Sequence, residues 1–197
     1  MVSSEVVHDI NCRSGLLIKR PDRYRDENKQ WCSLPLEDGT QIMGLPPAAK
    51  YGAESEAVAL VLADRCAARL PAIRNFYMQF LFAWLTGHGD LHAKNLSILG
   101  DDAGAFVPAP VYGVPCTLLN GDETMALPVA GKLKNLRKRH WDEFAQSLGL
   151  PVRAAVSANQ LALKAASSIE LSRLPFEGSP LRGTEHELRF RRHEIQQ

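Results

Sequence analysis

Ile73, Phe76, Tyr77, Phe80, Leu81, Trp84 and Leu85 recur at i, i+3, i+4 and i+7, and Gly87 closes the run. That period predicts an amphipathic helix whose stripe faces a core, with glycine as its natural stop. The aromatic residues Phe76 to Trp84 are read as core, not as a cofactor-binding surface. The string His88-Gly89-Asp90-Leu91-His92-Ala93-Lys94-Asn95 follows at once. A loop anchored to so apolar a helix has a fixed position at the edge of the core. Its carboxylate at 90 and amide at 95 are therefore the first candidates for chemistry.

The remaining pattern is mixed and mainly helical. Gly15 to Lys19 reads as a short buried strand, broken by Arg20-Pro21-Asp22-Arg23. Residues 24 to 53 carry Pro35, Gly39, Gly44, Pro46, Pro47 and Gly52, which predicts loop with a single helical turn around Asp38 to Met43. Glu54 to Leu70 is alanine-rich and helical, with Pro71 suited to the first turn of the next helix. Leu96 to Leu99 and Ala105 to Val107 read as a β-hairpin whose turn holds Asp101 and Asp102. Trp141, Phe144, Ala145 and Leu148 mark another helix, and a further one is expected over Arg153 to Ser172. Pro175 to Gly183 is rich in breakers, and Thr184 with Glu187 suggests a capping box for a charged terminal helix. The basic run Lys132 to His140 reads as a solvated helix face. The expected class is α+β, mainly α.

Composition removes several functional classes. The chain has 197 residues and a formal charge of +1, which gives no reason to expect direct nucleic-acid or membrane binding. No apolar run has the length of a membrane span, and Met1-Val2-Ser3-Ser4-Glu5 lacks a secretion-signal pattern, so the cytoplasm is the expected location. Cys12, Cys32, Cys66 and Cys116 are scattered without a C-x-x-C pair and read as reduced structural thiols.

Asp90 and Asn95 have the spacing of a kinase catalytic loop, H-R-D-x-x-x-x-N. In that arrangement the aspartate reaches the attacking hydroxyl, and the asparagine lies one short turn on, where its oxygen can ligate the metal bridging the phosphates. Four blocks in order then resemble the C-terminal part of HipA-family serine/threonine kinases, the toxins of bacterial toxin–antitoxin pairs. They are Leu16-Leu17-Ile18-Lys19-Arg20-Pro21-Asp22-Arg23; Leu36-Glu37-Asp38 with Gln41, Gly44-Leu45-Pro46-Pro47 and Lys50-Tyr51; Asp90 to Ser97; and Pro108-Ala109-Pro110-Val111-Tyr112-Gly113-Val114.

The resemblance implies a protein-kinase-like C-lobe with a small β-hairpin over residues 15–172. Residues 1–14 would form an N-terminal extension, and 173–197 a breaker-rich linker with a charged terminal helix. It implies transfer of the ATP γ-phosphoryl group to a protein hydroxyl, with ATP and Mg²⁺ as cofactors. Asp90 would be the base or hydroxyl-orienting group, Asn95 a metal ligand and Lys94 a phosphate-charge neutraliser. His92 would brace the loop, while Lys19 and Asp22 would belong to the adenine and ribose hinge. A HipB-like DNA-binding antitoxin is the implied partner.

Three departures stand against that pattern. Gly113 occupies the place of the family's metal-binding aspartate. No glycine-rich loop and no strand lysine precede residue 15, so the expectation is a lobe without its N-terminal counterpart. Pro21 stands where the family has an aromatic residue, and proline lacks a backbone donor. The expectation is a truncated, metal-impaired kinase, with the missing lobe supplied by a separate chain if it works at all. Two alternatives remain open. One is a non-catalytic partner-binding pseudokinase module. The other is a small-molecule kinase, because His88-Gly89-Asp90-Leu91-His92 with Asn95 also matches aminoglycoside and choline phosphotransferases.

Overall fold

The structure, a computed structural model, describes residues 1–101, 103–173 and 178–197. Asp102 and the Pro175–Glu177 part of the breaker-rich stretch lie outside the described residues. The described chain forms small antiparallel sheets and six α-helices. The centre is α3 (Arg69–Thr86), flanked by α2 (Ser55–Ala63), α4 (Lys138–Ser147), α5 (Val152–Ser167) and α6 (Ser179–Gln196). Its periodic residues are all buried, and Gly87 caps it in the left-handed region at φ 71°. Pro71 sits in its first turn, where a missing N–H costs nothing.

Aromatic packing joins α3 to α4. Tyr77 stacks on Phe144 at 5.6 Å, and Phe80 meets the same ring edge-on. Trp141 packs edge-on against both Tyr77 and Phe144. The Tyr77 hydroxyl donates to Asn159 Oδ1 on α5 at 2.8 Å, which pairs that buried hydroxyl, whereas the buried Trp141 Nε1 has no partner among the described residues.

A three-stranded sheet lies at the edge of this core. It is ordered β5 (Leu36–Asp38), β6 (Ser97–Gly100), β7 (Phe106–Pro108), with Asp38 opposite Ser97 and Gly100 opposite Phe106. The β6–β7 pair is the hairpin expected from the sequence, and Asp101 holds its turn by accepting from the Ala103 and Ala105 N–H groups. Asp38 also caps the short α1 (Gly39–Ile42). Its carboxylate accepts from the Gln41 N–H, and Gln41 Oε1 accepts from the Asp38 N–H. The single helical turn expected there is present, but the stretch around it is not all loop: it contains β5 as well as the hairpin of β3 (Arg23–Arg25) and β4 (Trp31–Ser33).

Three further expectations are corrected. The strand read at Gly15 to Lys19 exists as β2 (Ser14–Ile18), but it is exposed, not buried. It pairs with β1 (Ser4–His8) alone, so neither face of the two-stranded ribbon is covered and Leu16 remains 62% accessible. Consecutive apolar residues signal two covered faces only when other layers exist to cover them. Thr184 does not cap a helix. α6 already begins at Ser179, and Thr184 is buried inside it. The basic run is helical only from Lys138 onward, and Leu136 and His140 within it are buried.

Candidate active site

The bend from Asp90 to Asn95 is fixed from three sides. Within it, the His92 N–H donates to the Asp90 carbonyl and the Asn95 N–H to the His92 carbonyl. From outside, the Ala93 N–H donates to the Lys50 carbonyl at 3.1 Å, and the Ala93 carbonyl accepts from the Gly39 N–H at 2.9 Å. Leu91, Ala93 and Leu96 are buried as anchors, which leaves Asp90, Lys94 and Asn95 half-exposed on the open side. Gly39 is the only residue type that fits its place, since a Cβ there would stand 2.7 Å from the Ala93 oxygen.

Side chains distant in sequence meet on this bend. The Tyr51 hydroxyl donates to Asp90 Oδ1 at 2.9 Å. His92 Nε2 lies 3.0 Å from Lys50 Nζ and 4.0 Å from Asp90 Oδ1. The Tyr51 ring stands edge-on to His92 and carries the Lys50 ammonium 4.7 Å from its centre. Burial pushes the His92 pKa below its ordinary value, and the positive Lys50 pushes in the same direction against the opposing pull of Asp90. A neutral His92 is then an acceptor for the lysine. His88 is buried too, with its pKa lowered chiefly by desolvation, and its Nδ1 accepts from the Asp90 N–H at 3.4 Å. Gly89 lies so close to Thr117, Asp122 and the Thr124 carbonyl that a Cβ would come within 2.8 Å of all three. Its N–H donates to Thr117 Oγ1 at 2.7 Å. Beside Asp90 opens a groove of about 630 Å³, lined among others by Tyr51, Thr117, Asp122 and Leu133.

The site residues expected from the sequence divide into two places. Asp90, His92, Lys94 and Asn95 share the bend. The Lys94 carbonyl accepts from the Tyr112 hydroxyl at 3.1 Å, which ties the bend to the segment carrying Gly113. Asn95 Oδ1 accepts from the His92 N–H at 3.3 Å. Lys19 and Asp22 lie at the end of the β1–β2 hairpin. The Lys19 N–H donates to the Ser3 carbonyl, and its side chain is exposed. Asp22 is buried, and its two oxygens are occupied by Arg20 at 2.9 and 2.6 Å and by Arg23 at 2.8 Å. The hydrogen bond from Arg20 is the main reason its pKa is lowered, with desolvation opposing. An aspartate so engaged ties Arg20 to Arg23, and its burial leaves little of it accessible to a ribose.

The donors present do not complete a magnesium site. Hard cations of this size take one or two carboxylates plus phosphates. Gly113 faces the Asn95 amide, with an added Cβ only 4.0 Å from Nδ2, yet supplies no oxygen. Among the described residues no cluster of three or more His, Cys, Asp or Glu side chains exists. Tyr51 and Lys50 are the partners that sequence reasoning did not assign to the site, although the Lys-Tyr pair lies within one of the four blocks that carry the resemblance.

The family model for the HipA-like C-terminal domain matches residues 1–169. The chain belongs to the HipA family. Two relatives come from Sinorhizobium fredii (strain NBRC 101917 / NGR234). "Putative kinase Y4mE" is 32% identical over 149 residues, covering 71% of this chain and 35% of the relative. "Putative kinase Y4dM" is 27% identical over 166 residues, covering 83% and 38%. The fold matches the HipA chain in the complex of HipA, HipB and operator DNA from the Shewanella oneidensis MR-1 toxin–antitoxin system. The TM-score is 0.77 at 19% identity, over 99% of this chain and 51% of that one. This HipA-like chain thus spans between a third and about half the length of the proteins it matches. Among the described residues no helix is long and apolar enough to cross a membrane.

Proposed function

We propose that this HipA-like domain is the hydroxyl-positioning lobe of an ATP-dependent serine/threonine protein kinase, with a weakened metal site. The observation that carries this reading is the half-exposed Asp90 carboxylate, held by the Tyr51 hydroxyl at 2.9 Å over an open groove. One Asp90 oxygen is thereby oriented, and the carboxylate remains within reach of solvent and of an incoming hydroxyl. Lys94, with no carboxylate partner among the described residues, is free to offset phosphate charge. ATP and Mg²⁺ are the cofactors of this reading, and Asn95 is the metal ligand. A separate chain or further sequence would supply the phosphate-covering lobe. A HipB-like DNA-binding antitoxin is the partner of this reading.

Gly113 favours a second reading, a partner-binding module without catalysis. The two are separated by phosphotransfer from radiolabelled ATP, assayed with the rest of a HipA-type kinase supplied in trans. Catalysis predicts magnesium-dependent labelling that Asp90→Asn abolishes and Gly113→Asp increases. No labelling from either the parent chain or Gly113→Asp would overturn the kinase reading and leave the binding module.

A further inference from the structure

We infer that Lys132, Lys134 and Arg139 form a docking cleft for an acidic segment of the protein whose hydroxyl enters the Asp90 groove. This rests on the protein-kinase reading above and adds the class of substrate. A cleft of about 590 Å³ is lined by Lys132, Lys134, Arg137 and Arg139, and no carboxylate lines it. Arg137 is engaged by Glu194 at 2.9 Å and by the Phe190 ring. The neighbouring Lys138 is engaged by Asp142. Lys132, Lys134 and Arg139 have no carboxylate partner among the described residues, and all three are exposed. Two of them, Arg139 and Lys132, act on the same buried imidazole. The buried His140 has its pKa lowered first by desolvation and then by Arg139 and Lys132, with only Glu143 opposing among the charges that act on it.

The backbone that carries Lys132 and Lys134 is also held in place. Val129 and Lys132 exchange backbone hydrogen bonds across Ala130-Gly131, both left-handed at φ 46° and 69°. That two-residue turn is unfavourable for alanine. Glu56 accepts from the Ala130 N–H at 2.9 Å and fastens the turn to α2. The Met125 N–H donates to the Leu133 carbonyl at 2.7 Å and fastens its other side to the wall of the Asp90 groove. Asn135 is left-handed as well, at φ 55°. Rigid backbone lowers the entropy lost when a ligand is bound.

Leu133 lines both the cleft and the Asp90 groove, so the two form one continuous surface. That surface has a charge direction. Asp90 and Asp122 make the catalytic end acidic, and the three unpaired cations make the far end basic. A polypeptide fits this polarity if its hydroxyl residue is followed, on one side only, by carboxylates. Three cations on a protein of net charge +1 favour a short acidic peptide over a nucleic-acid backbone, whose binding needs more phosphate contacts.

The test is fluorescence anisotropy on the full chain, without ATP, using a fluorescein-labelled serine peptide that carries glutamates on one side. Lys132→Ala/Lys134→Ala/Arg139→Ala is expected to weaken binding about tenfold or more with an unchanged circular dichroism spectrum. A photoreactive group at the serine position is expected to cross-link within residues 88–91 or 115–126. Equal binding by the triple variant, tighter binding of duplex DNA than of the peptide, or cross-links elsewhere would overturn the proposal. Intact peptide binding beside absent phosphotransfer would overturn the kinase reading alone.

Discussion

At position 113 the backbone has φ +60°, and the space toward Asn95 holds no atom closer than 4.0 Å to an added Cβ. Aspartate is among the few side chains that visit this region readily, so Gly113→Asp should fold with a loss of about 1 kcal/mol. It should tighten magnesium–ATP binding, measured by calorimetry with and without the metal. At position 90, Asp90→Asn keeps the shape and removes the charge, and should lower any phosphotransfer by about 10²–10⁴-fold. Tyr51→Phe should give a smaller loss, because it frees the carboxylate without removing it. The buried histidines set a pH dependence. His88, His92 and His140 all have folded pKa values below their ordinary 6.5, chiefly from desolvation. The unfolded chain therefore binds more protons, and the stability they contribute is present in full above about pH 6.5 and lost as pH falls below it. Urea unfolding midpoints should drop between pH 7.5 and 5.5, and His88→Gln should flatten that drop.

At the level of elements, the periodicity of α3 was legible because a stripe of seven apolar residues admits only one repeat. The hairpin of β6 and β7 was legible because Asp101 and Gly104 punctuate it. The start of α1 against the Asp90–Asn95 bend was not legible, since Gly39 and Ala93 are far apart in the chain. Gly39→Ala should destabilise by about 1–3 kcal/mol through overpacking against the Ala93 carbonyl and Val58. It should also displace the bend, so its phosphotransfer should fall further than its thermal midpoint alone explains. The β1–β2 ribbon was misread because strand propensity reports local fit and carries no information on whether another layer will cover the strand. The cap read at Thr184 failed for a related reason. Helix α6 starts earlier, at Ser179, and Gly183 is carried inside it.

In the whole molecule, Arg191 and Leu188 fasten α6 to the site side, and Arg191 does so with polar contacts. Arg191 is 3% exposed and stacks its guanidinium 3.5 Å from the Trp84 ring centre. It donates to the Trp84 carbonyl at 3.2 Å, to the Glu123 carbonyl at 3.0 Å and to Glu187 at 2.8 Å. Glu123 adjoins Asp122 and Thr124, which wall the Asp90 groove. Burial lowers the Arg191 pKa, with Glu187 opposing. Arg191→Leu should cost about 2–3 kcal/mol by stranding buried carbonyls, read as a lower urea midpoint. Arg191→Lys should recover only part, because an ammonium cannot fork between two carbonyls and a carboxylate.

The sequence alone determined which residues form the central helix, where it stops, and that a carboxylate and an amide follow it on one short bend. These are local facts of period, spacing and residue type; that Gly113 faces the Asn95 amide was added by the structure, since by sequence it only holds a place in a block that resembles the family's. Only the tertiary structure decided that Tyr51 and Lys50 complete the surroundings of that bend and that Asp22 is spent on two arginines. It alone decided that three cations near position 133 adjoin the same groove. Those relations join segments separated by tens of residues, and such contacts follow from how the layers pack, which no local pattern encodes.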